Sequence, residues 1–262
     1  MTDYKASDRA ELPPIGFLAV ECFFYRPPGD GFNEDTWPFP IIRELAEGSK
    51  ESVLVSKGDY SEAFLKGFID AGRRLVERGA IGIITSCGFL AQSQPILSER
   101  LPIPIATSSL LQIPSILSFL PPKKNIGIIT YNGNELGPLH FERLGIPPEN
   151  AKRCYIKGMP SGGALQGLVR GQIPYSYANI EAEMINAAKE LVTEHDDIAA
   201  IVLECVQMPV YADSVQKAVN LPVYDLYSMV NWFYSGLVRR HPATWGDLEG
   251  RLTGPLVKRN IM

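Results

Sequence analysis

Two apolar runs in this chain each run straight into a cysteine, and each does so at the same step of a repeated order of elements. Residues 81–85 open the segment IGIITSCGF around Cys87, and residues 199–203 open AAIVLECVQ around Cys205. An unbroken apolar run bounded by turn residues suits a strand covered on both faces of a parallel sheet. Each cysteine is followed by a helix-like stretch, a Leu-Pro pair (Leu101-Pro102, Leu221-Pro222), a short strand and a further helix. Earlier in each unit stands an I-G-apolar strand, with Gly16 in one and Gly127 in the other. A matching order with a cysteine at the same strand end points to a duplicated α/β unit.

The remaining segments fit that plan. Residues 14–21 read as a strand and 22–40, rich in Gly, Pro and Asn, as a loop. A short strand is expected at 53–55. From 61 to 78, Phe64, Phe68, Ala71 and Leu75 recur at helical spacing behind a capping Ser61. A strand at 103–107 and a helix over 110–120 follow. The second unit gives strands at 125–130, 153–156, 199–203 and 223–225, with helices at 135–144, 180–194 and 226–239. Residues 159–174 read as a loop or broken helix. Strand-helix alternation of this kind implies α/β architecture with mainly parallel sheets.

The chain has 262 residues, 45% hydrophobic and 21% charged, with a formal net charge of -4. A mildly acidic surface gives no general attraction to nucleic acid or to an anionic membrane, so neither is expected as a partner. The first residues lack the apolar core of a signal peptide, and no apolar run is long enough to span a bilayer. A cytoplasmic enzyme is the expectation. The four cysteines are scattered, none in a C-x-x-C pair, and His140, His195 and His241 lie far apart. A disulfide framework and a structural zinc are therefore not expected.

In open parallel sheets ligands bind beyond the carboxyl ends of the strands, where Cys87 and Cys205 both stand. If a helix begins at each, its free N–H groups should lower the thiol's pKa. The N–H groups of Gly88, Phe89, Val206 and Gln207 would then also hold a carboxylate or a developing enolate. Two thiols facing each other suit proton transfer at a carbon beside a carbonyl, one removing a proton and the other returning one. That chemistry needs no metal and no cofactor. Cys22 and Cys154 read as small buried hydrophobes.

The segments Thr85-Ser86-Cys87-Gly88-Phe89 and Leu203-Glu204-Cys205-Val206-Gln207-Met208-Pro209 resemble the two cysteine motifs of the aspartate/glutamate racemase superfamily. That superfamily includes amino-acid racemases, hydantoin racemases, maleate isomerases and arylmalonate decarboxylases. The resemblance runs from about Pro14 to about Arg240 and takes in Pro27–Gly31, which is similar to an active-site loop of the decarboxylase and isomerase branch. It implies two pseudo-symmetric Rossmann-like lobes around a cleft, with the last helix returning to the first lobe. The lobes are then 1–115 with 225–262, and 116–224. Amino-acid racemases carry Thr then His or Glu after the second cysteine, where this chain has Val206 and Gln207. Their Asn-Thr pair after the first is replaced by Gly88-Phe89. These departures argue against free glutamate or aspartate and for a less polar small carboxylate or a cyclic amide. The decarboxylases keep only the second cysteine, so Cys87 favours a racemase or epimerase. The alternatives are a cysteine-dependent cis–trans isomerase or lyase of a small carboxylate, and a non-catalytic binding protein.

Thr130, Tyr131 and Asn132 end a strand at the same sheet edge, where they either bind substrate or cap a helix. Ser108 and Ser109 pose the same choice, Ser109 leaning to capping. Asn33, in the long loop, either fixes a substrate polar group or serves a turn. His140 reads as a surface or packed histidine rather than a base. Trp232, Phe233 and Tyr234 suggest inter-domain or dimer packing, leaving a homo-oligomer open.

Overall fold

The computed structural model describes residues 9–240. The expectations for the N-terminal residues 1–8, for His241 and for the polar tail assigned to the first lobe lie outside the described residues. Within them are two four-stranded, wholly parallel sheets. The first has the order β2-β1-β3-β4, built from β1 (Ile15–Ala19), β2 (Ile41–Leu45), β3 (Ile83–Thr85) and β4 (Ile105–Ala106). The second has the order β6-β5-β7-β8, from β5 (Asn125–Thr130), β6 (Cys154–Gly158), β7 (Ile198–Leu203) and β8 (Val223–Tyr224). The two orders coincide strand for strand, so β1 corresponds to β5 and the cysteine-bearing β3 to β7.

Local chemistry explains the elements. Ser61 accepts from the Phe64 N–H at 3.2 Å and opens the helix Glu62–Glu77, whose Phe64, Phe68, Ala71 and Leu75 are all buried. Ser176 caps Tyr177–Glu194 in the same way, accepting from Asn179 at 3.4 Å. Gly16 and Gly127 let these two helices lie close on their sheets. A Cβ on Gly16 would sit 3.0 Å from Leu75, and one on Gly127 would sit 2.6 Å from Leu191 and 2.8 Å from Ile201. Gly127→Ala is accordingly expected to destabilise the protein by about 1–3 kcal/mol through overpacking, read as a lowered urea midpoint with unchanged slope.

One local reading is corrected. Residues 53–55 are not a strand; Glu51–Leu54 is a short helix, and the edge strand is β2 instead. β2 carries Arg43 and Glu44 between its apolar residues and is only half covered, so it lacks the continuous apolar signature of the inner strands. The broken segment after Met159 contains a short helix, Ala164–Val169.

The last helix, Leu226–Leu237, lies on the first sheet: Leu226, Met229, Val230 and Tyr234 share one core with Ile15, Phe17 and Ile84. The Tyr234 ring stacks on Phe39 with centroids 3.9 Å apart, and its hydroxyl donates to Pro13 at 2.9 Å. Trp232, on the opposite face, is 69% exposed. No helix among the described residues is long and apolar enough to cross a membrane.

Candidate active site

β3 and β7 end side by side at the junction of the two sheets, and the residues after each strand turn sharply. Cys87 precedes a 310 turn, Gly88–Ser93, that leads into the helix Gln94–Arg100. The Cys205 carbonyl accepts from Met208 N–H at 3.0 Å, and a 310 turn, Met208–Tyr211, follows. The lobes are tied together directly beneath. Ser109 Oγ donates to the Leu203 carbonyl at 2.8 Å, so Ser109 bridges the sheets, and the capping role falls to Ser108, which accepts from Leu110 N–H.

Both cysteines line one small, partly open cavity with about 30 Å³ of free space. The first lobe supplies Val20, Cys22, Phe24 and Arg26 from the end of β1 and its loop, and Glu51, Leu54 and Val55 from the short helix. The second supplies Tyr131, Val169, Glu204 and Gln207, and Ser86 and Phe89 flank Cys87. Cys22, read as a packing residue, thus also faces this space. The walls are mainly apolar and aromatic, and Arg26 is the single cationic side chain among them.

Arg26 is held rigidly. Its guanidinium meets Asp30 at 3.2 Å, the two side chains only 6% and 1% exposed, and lies over the Phe24 and Phe32 rings. Burial raises the Asp30 pKa against the pull of Arg26 and of the Phe32 N–H. The Gly/Pro loop that carries Arg26 is laced to itself and to the second lobe. Thr36 Oγ1 donates to the Asp30 carbonyl at 2.6 Å, and Gly31 N–H donates to the Val206 carbonyl at 3.0 Å. Gly29 adopts φ +99°, which favours glycine, with Val210 directly opposite its missing side chain.

The thiols are not acidified as the sequence suggested. Burial is the main cause pushing the Cys87 pKa well above the ordinary thiol value, and the Glu204 carboxyl adds to it. Cys205 is raised by the same causes in the same order. The turns after the cysteines are short and irregular, so the helix-end field invoked for them is weak, and desolvation dominates. The Phe89 and Gln207 N–H groups do favour the thiolates of Cys87 and Cys205 respectively, as lesser influences. The Cys205 thiol donates to Gln207 Oε1 at 2.6 Å.

Glu204 is fully buried. Its Oε2 accepts from Thr130 Oγ1 at 2.8 Å, and the Tyr131 N–H also supports its charge, but burial outweighs both and lifts its pKa to about 7. Among the described residues its Oε1 has no partner, nor has the buried Ser86 hydroxyl. Gly88 packs on this carboxyl, for a Cβ there would fall far inside contact with Glu204 Oε1 and its carbonyl oxygen. At the cavity edge the Tyr131 hydroxyl donates to Glu51 Oε1 at 3.0 Å, and Arg170 meets the same oxygen at 3.1 Å.

Of the residues singled out in the sequence, the cavity brings together Cys87, Cys205, Ser86, Phe89, Gln207 and Tyr131. Thr130 and Gly88 stand behind it, both against Glu204. Val206 packs with Leu226 in the first lobe's core. Asn132 serves a turn, accepting from Asn134 N–H at 3.1 Å, and Asn33 caps Glu34–Thr36 while donating to the Arg26 carbonyl. His140 is buried behind Phe89, edge to face at 5.2 Å, and burial lowers its pKa to about 4, so it packs as the neutral ring. Sequence reasoning missed Arg26, Glu51 and Glu204. The position of Arg26 next to the Pro-Pro-Gly-Asp-Gly loop, and of Glu204 inside the second motif, were the available signals.

No protein-family model matches the chain. Among curated proteins it is 28% identical over 229 residues to a dimethylsulfoniopropionate lyase of Durusdinium sp. clade D, covering 86% of this chain and 75% of that one. It is 26% identical over 235 residues to dimethylsulfoniopropionate lyase 7 of Emiliania huxleyi, covering 87% and 68%. Among solved structures, allantoin racemase from Klebsiella pneumoniae superposes with a TM-score of 0.58 at 14% identity, over 86% of this chain and 87% of the other. Arylmalonate decarboxylase gives 0.54 at 16% identity, over 86% and 92%. Glutamate racemase from Aquifex pyrophilus gives 0.52 at 14% identity, over 86% and 84%. Racemases of two substrates and a decarboxylase thus share the twin parallel sheets described above, and the chain has the fold of the aspartate/glutamate racemase superfamily.

Proposed function

We propose that this protein is a cofactor-independent enzyme that removes a proton from the carbon next to the carboxylate of a small substrate, using a cysteine thiolate, and that the reaction continues as a β-elimination. The observation that carries the proposal is the single small cavity in which two thiols and the Arg26 guanidinium meet. Arg26 suits a carboxylate, to which a guanidinium binds strongly. The Cys205 thiol donates to Gln207 Oε1, and among the described residues Cys87 has no such acceptor, which favours Cys87 as the base and Cys205 as the opposing acid.

Elimination is favoured over proton return by the dimethylsulfoniopropionate lyases among the relatives. In such a substrate the electron pair of the cleaved C–H bond forms the C=C bond, and the C–S bond breaks. Dimethyl sulfide and acrylate leave, with the abstracted proton on the thiol. The rings of Phe89 and Tyr131 fit a sulfonium, since cations sit on aromatic faces. A second reading, racemisation or epimerisation, draws on the two cysteines standing at equivalent ends of β3 and β7.

One experiment separates the two. Purified protein is given dimethylsulfoniopropionate in deuterated water, with headspace dimethyl sulfide measured by gas chromatography and α-deuterium by NMR. Release of dimethyl sulfide with acrylate supports elimination. Absence of both gas and α-exchange, with this substrate and with a panel of chiral small carboxylates and hydantoins, would overturn the common step.

A further inference from the structure

Serine and threonine hydroxyls taken out of water nearly always find a hydrogen-bond partner, because an unmatched one costs free energy on folding. This protein keeps the rule with one exception. Thr85 donates to the Thr107 carbonyl at 2.6 Å, Ser93 to the Leu90 carbonyl at 2.7 Å, and Thr107 to Gln94 Oε1 at 2.8 Å. Ser86 is just as buried, 3% exposed, yet its Oγ is the only serine or threonine hydroxyl buried without a partner among the described residues. Its backbone is pinned at the end of β3, where the Ser86 N–H donates to the Leu18 carbonyl at 3.0 Å, and the next residue is Cys87. Ser86 lines the cavity that holds both sulfurs and Arg26.

The other polar side chains of the wall are engaged elsewhere. Tyr131 and Arg170 hold Glu51, the Cys205 thiol holds Gln207 Oε1, and Thr130 holds one oxygen of Glu204, whose other oxygen does not bond to Ser86. Arg26 meets Asp30 through Nη1, and a guanidinium has further N–H donors. From this geometry we infer that Ser86 is a substrate-binding residue, its hydroxyl donating to one oxygen of the carboxylate whose other oxygen Arg26 receives. A carboxylate accepts and never donates, and in a mainly apolar cavity it needs a donor for each oxygen that leaves water. The chain has Gly88-Phe89 in place of the Asn-Thr pair that amino-acid racemases carry after the first cysteine. Here the hydroxyl comes instead from the residue before that cysteine. As the α-proton leaves, negative charge grows on the same two oxygens, so both donors hold the reacting form more strongly than the substrate. The stability given up at Ser86 is the counterpart of affinity for that anion.

The inference rests on the carboxylate reading of the site, and one experiment separates the two. Propionate, a small carboxylate that does not itself alkylate thiols, is titrated at fixed ionic strength while iodoacetamide labelling of Cys87 is followed by peptide mass spectrometry. In the parent protein, millimolar propionate should slow the labelling. Ser86→Ala should need about tenfold more propionate for the same protection, the size expected for one hydrogen bond to a charged group. Its urea midpoint without propionate should equal or exceed that of the parent, because the hydroxyl removed had no partner. An unchanged protection curve overturns the inference and leaves the carboxylate reading standing. A lowered midpoint, or a variant that does not fold, overturns it too, since the hydroxyl is then holding the structure. A parent protein that propionate fails to protect at any concentration overturns the carboxylate reading and this inference with it.

Discussion

Cys87→Ser is expected to lower dimethyl sulfide release by about 10³-fold, within the range by which a positioned base accelerates proton transfer. Serine keeps the shape of the side chain, but its hydroxyl does not ionise near neutral pH, so the loss is one of basicity and not of packing. Cys205→Ser preserves a donor toward Gln207 Oε1, the group that the Cys205 thiol meets at 2.6 Å, and is expected to lose less, about tenfold. Steady-state rates of both variants by headspace chromatography, with unfolding midpoints as a control, give the comparison. Equal and complete loss in both, together with α-deuterium exchange in the parent, would instead favour racemisation, where each face of the carbon needs its own thiol. Activity retained in Cys87→Ser would remove that residue from the mechanism.

The second large effect is expected at Arg26. Arg26→Met removes the partner of a carboxylate that is 1% exposed, and breaking one side of a buried pair costs about 3–5 kcal/mol. The deficit should depend on pH with a definite sign. Burial already raises the Asp30 pKa in the folded protein, so protonation of Asp30 favours the fold, and that contribution fades as pH climbs through the folded pKa. Without Arg26 the folded pKa rises further and the loss extends across a wider span above it. Denaturant unfolding at pH 7 and pH 5 should therefore show the larger deficit at pH 7. Where the variant remains folded, its KM for a carboxylate substrate should rise, since the cavity's single cation is gone. A variant as stable as the parent at both pH values would mean that Asp30 is not charged in the folded protein.

The parts of the fold that the sequence displayed most clearly were those with one dominant physical signature. β5 and β7 are continuous apolar runs bounded by turn residues, and the helices Glu62–Glu77 and Tyr177–Glu194 carry caps and helical spacing together. β2 escaped notice because an edge strand with Arg43 and Glu44 on it need not be apolar throughout. In the site, the cysteines were legible because a strand end at the sheet's carboxyl edge is a place as well as a residue type. Arg26, Glu51 and Glu204 were not, because what singles them out is burial and partnership across long sequence separations. Glu51 meets Arg170 from the other lobe, and Glu204 leans on Gly88. The acidified thiols expected of helix starts gave way to suppressed ones, since the field of a short 310 turn is small beside the cost of taking a charge out of water.

The Glu51 carboxylate, gripped by Tyr131 and Arg170, ties the short helix Glu51–Leu54 to the second sheet's side of the cavity. Its ion pair is partly open to solvent, with Glu51 and Arg170 25% and 35% exposed, and pairs of that kind contribute only about 0–1 kcal/mol. Dissolved ions weaken it further. Ionic strength thereby becomes a handle on how tightly the two halves hold together at this point, independent of the chemistry inside.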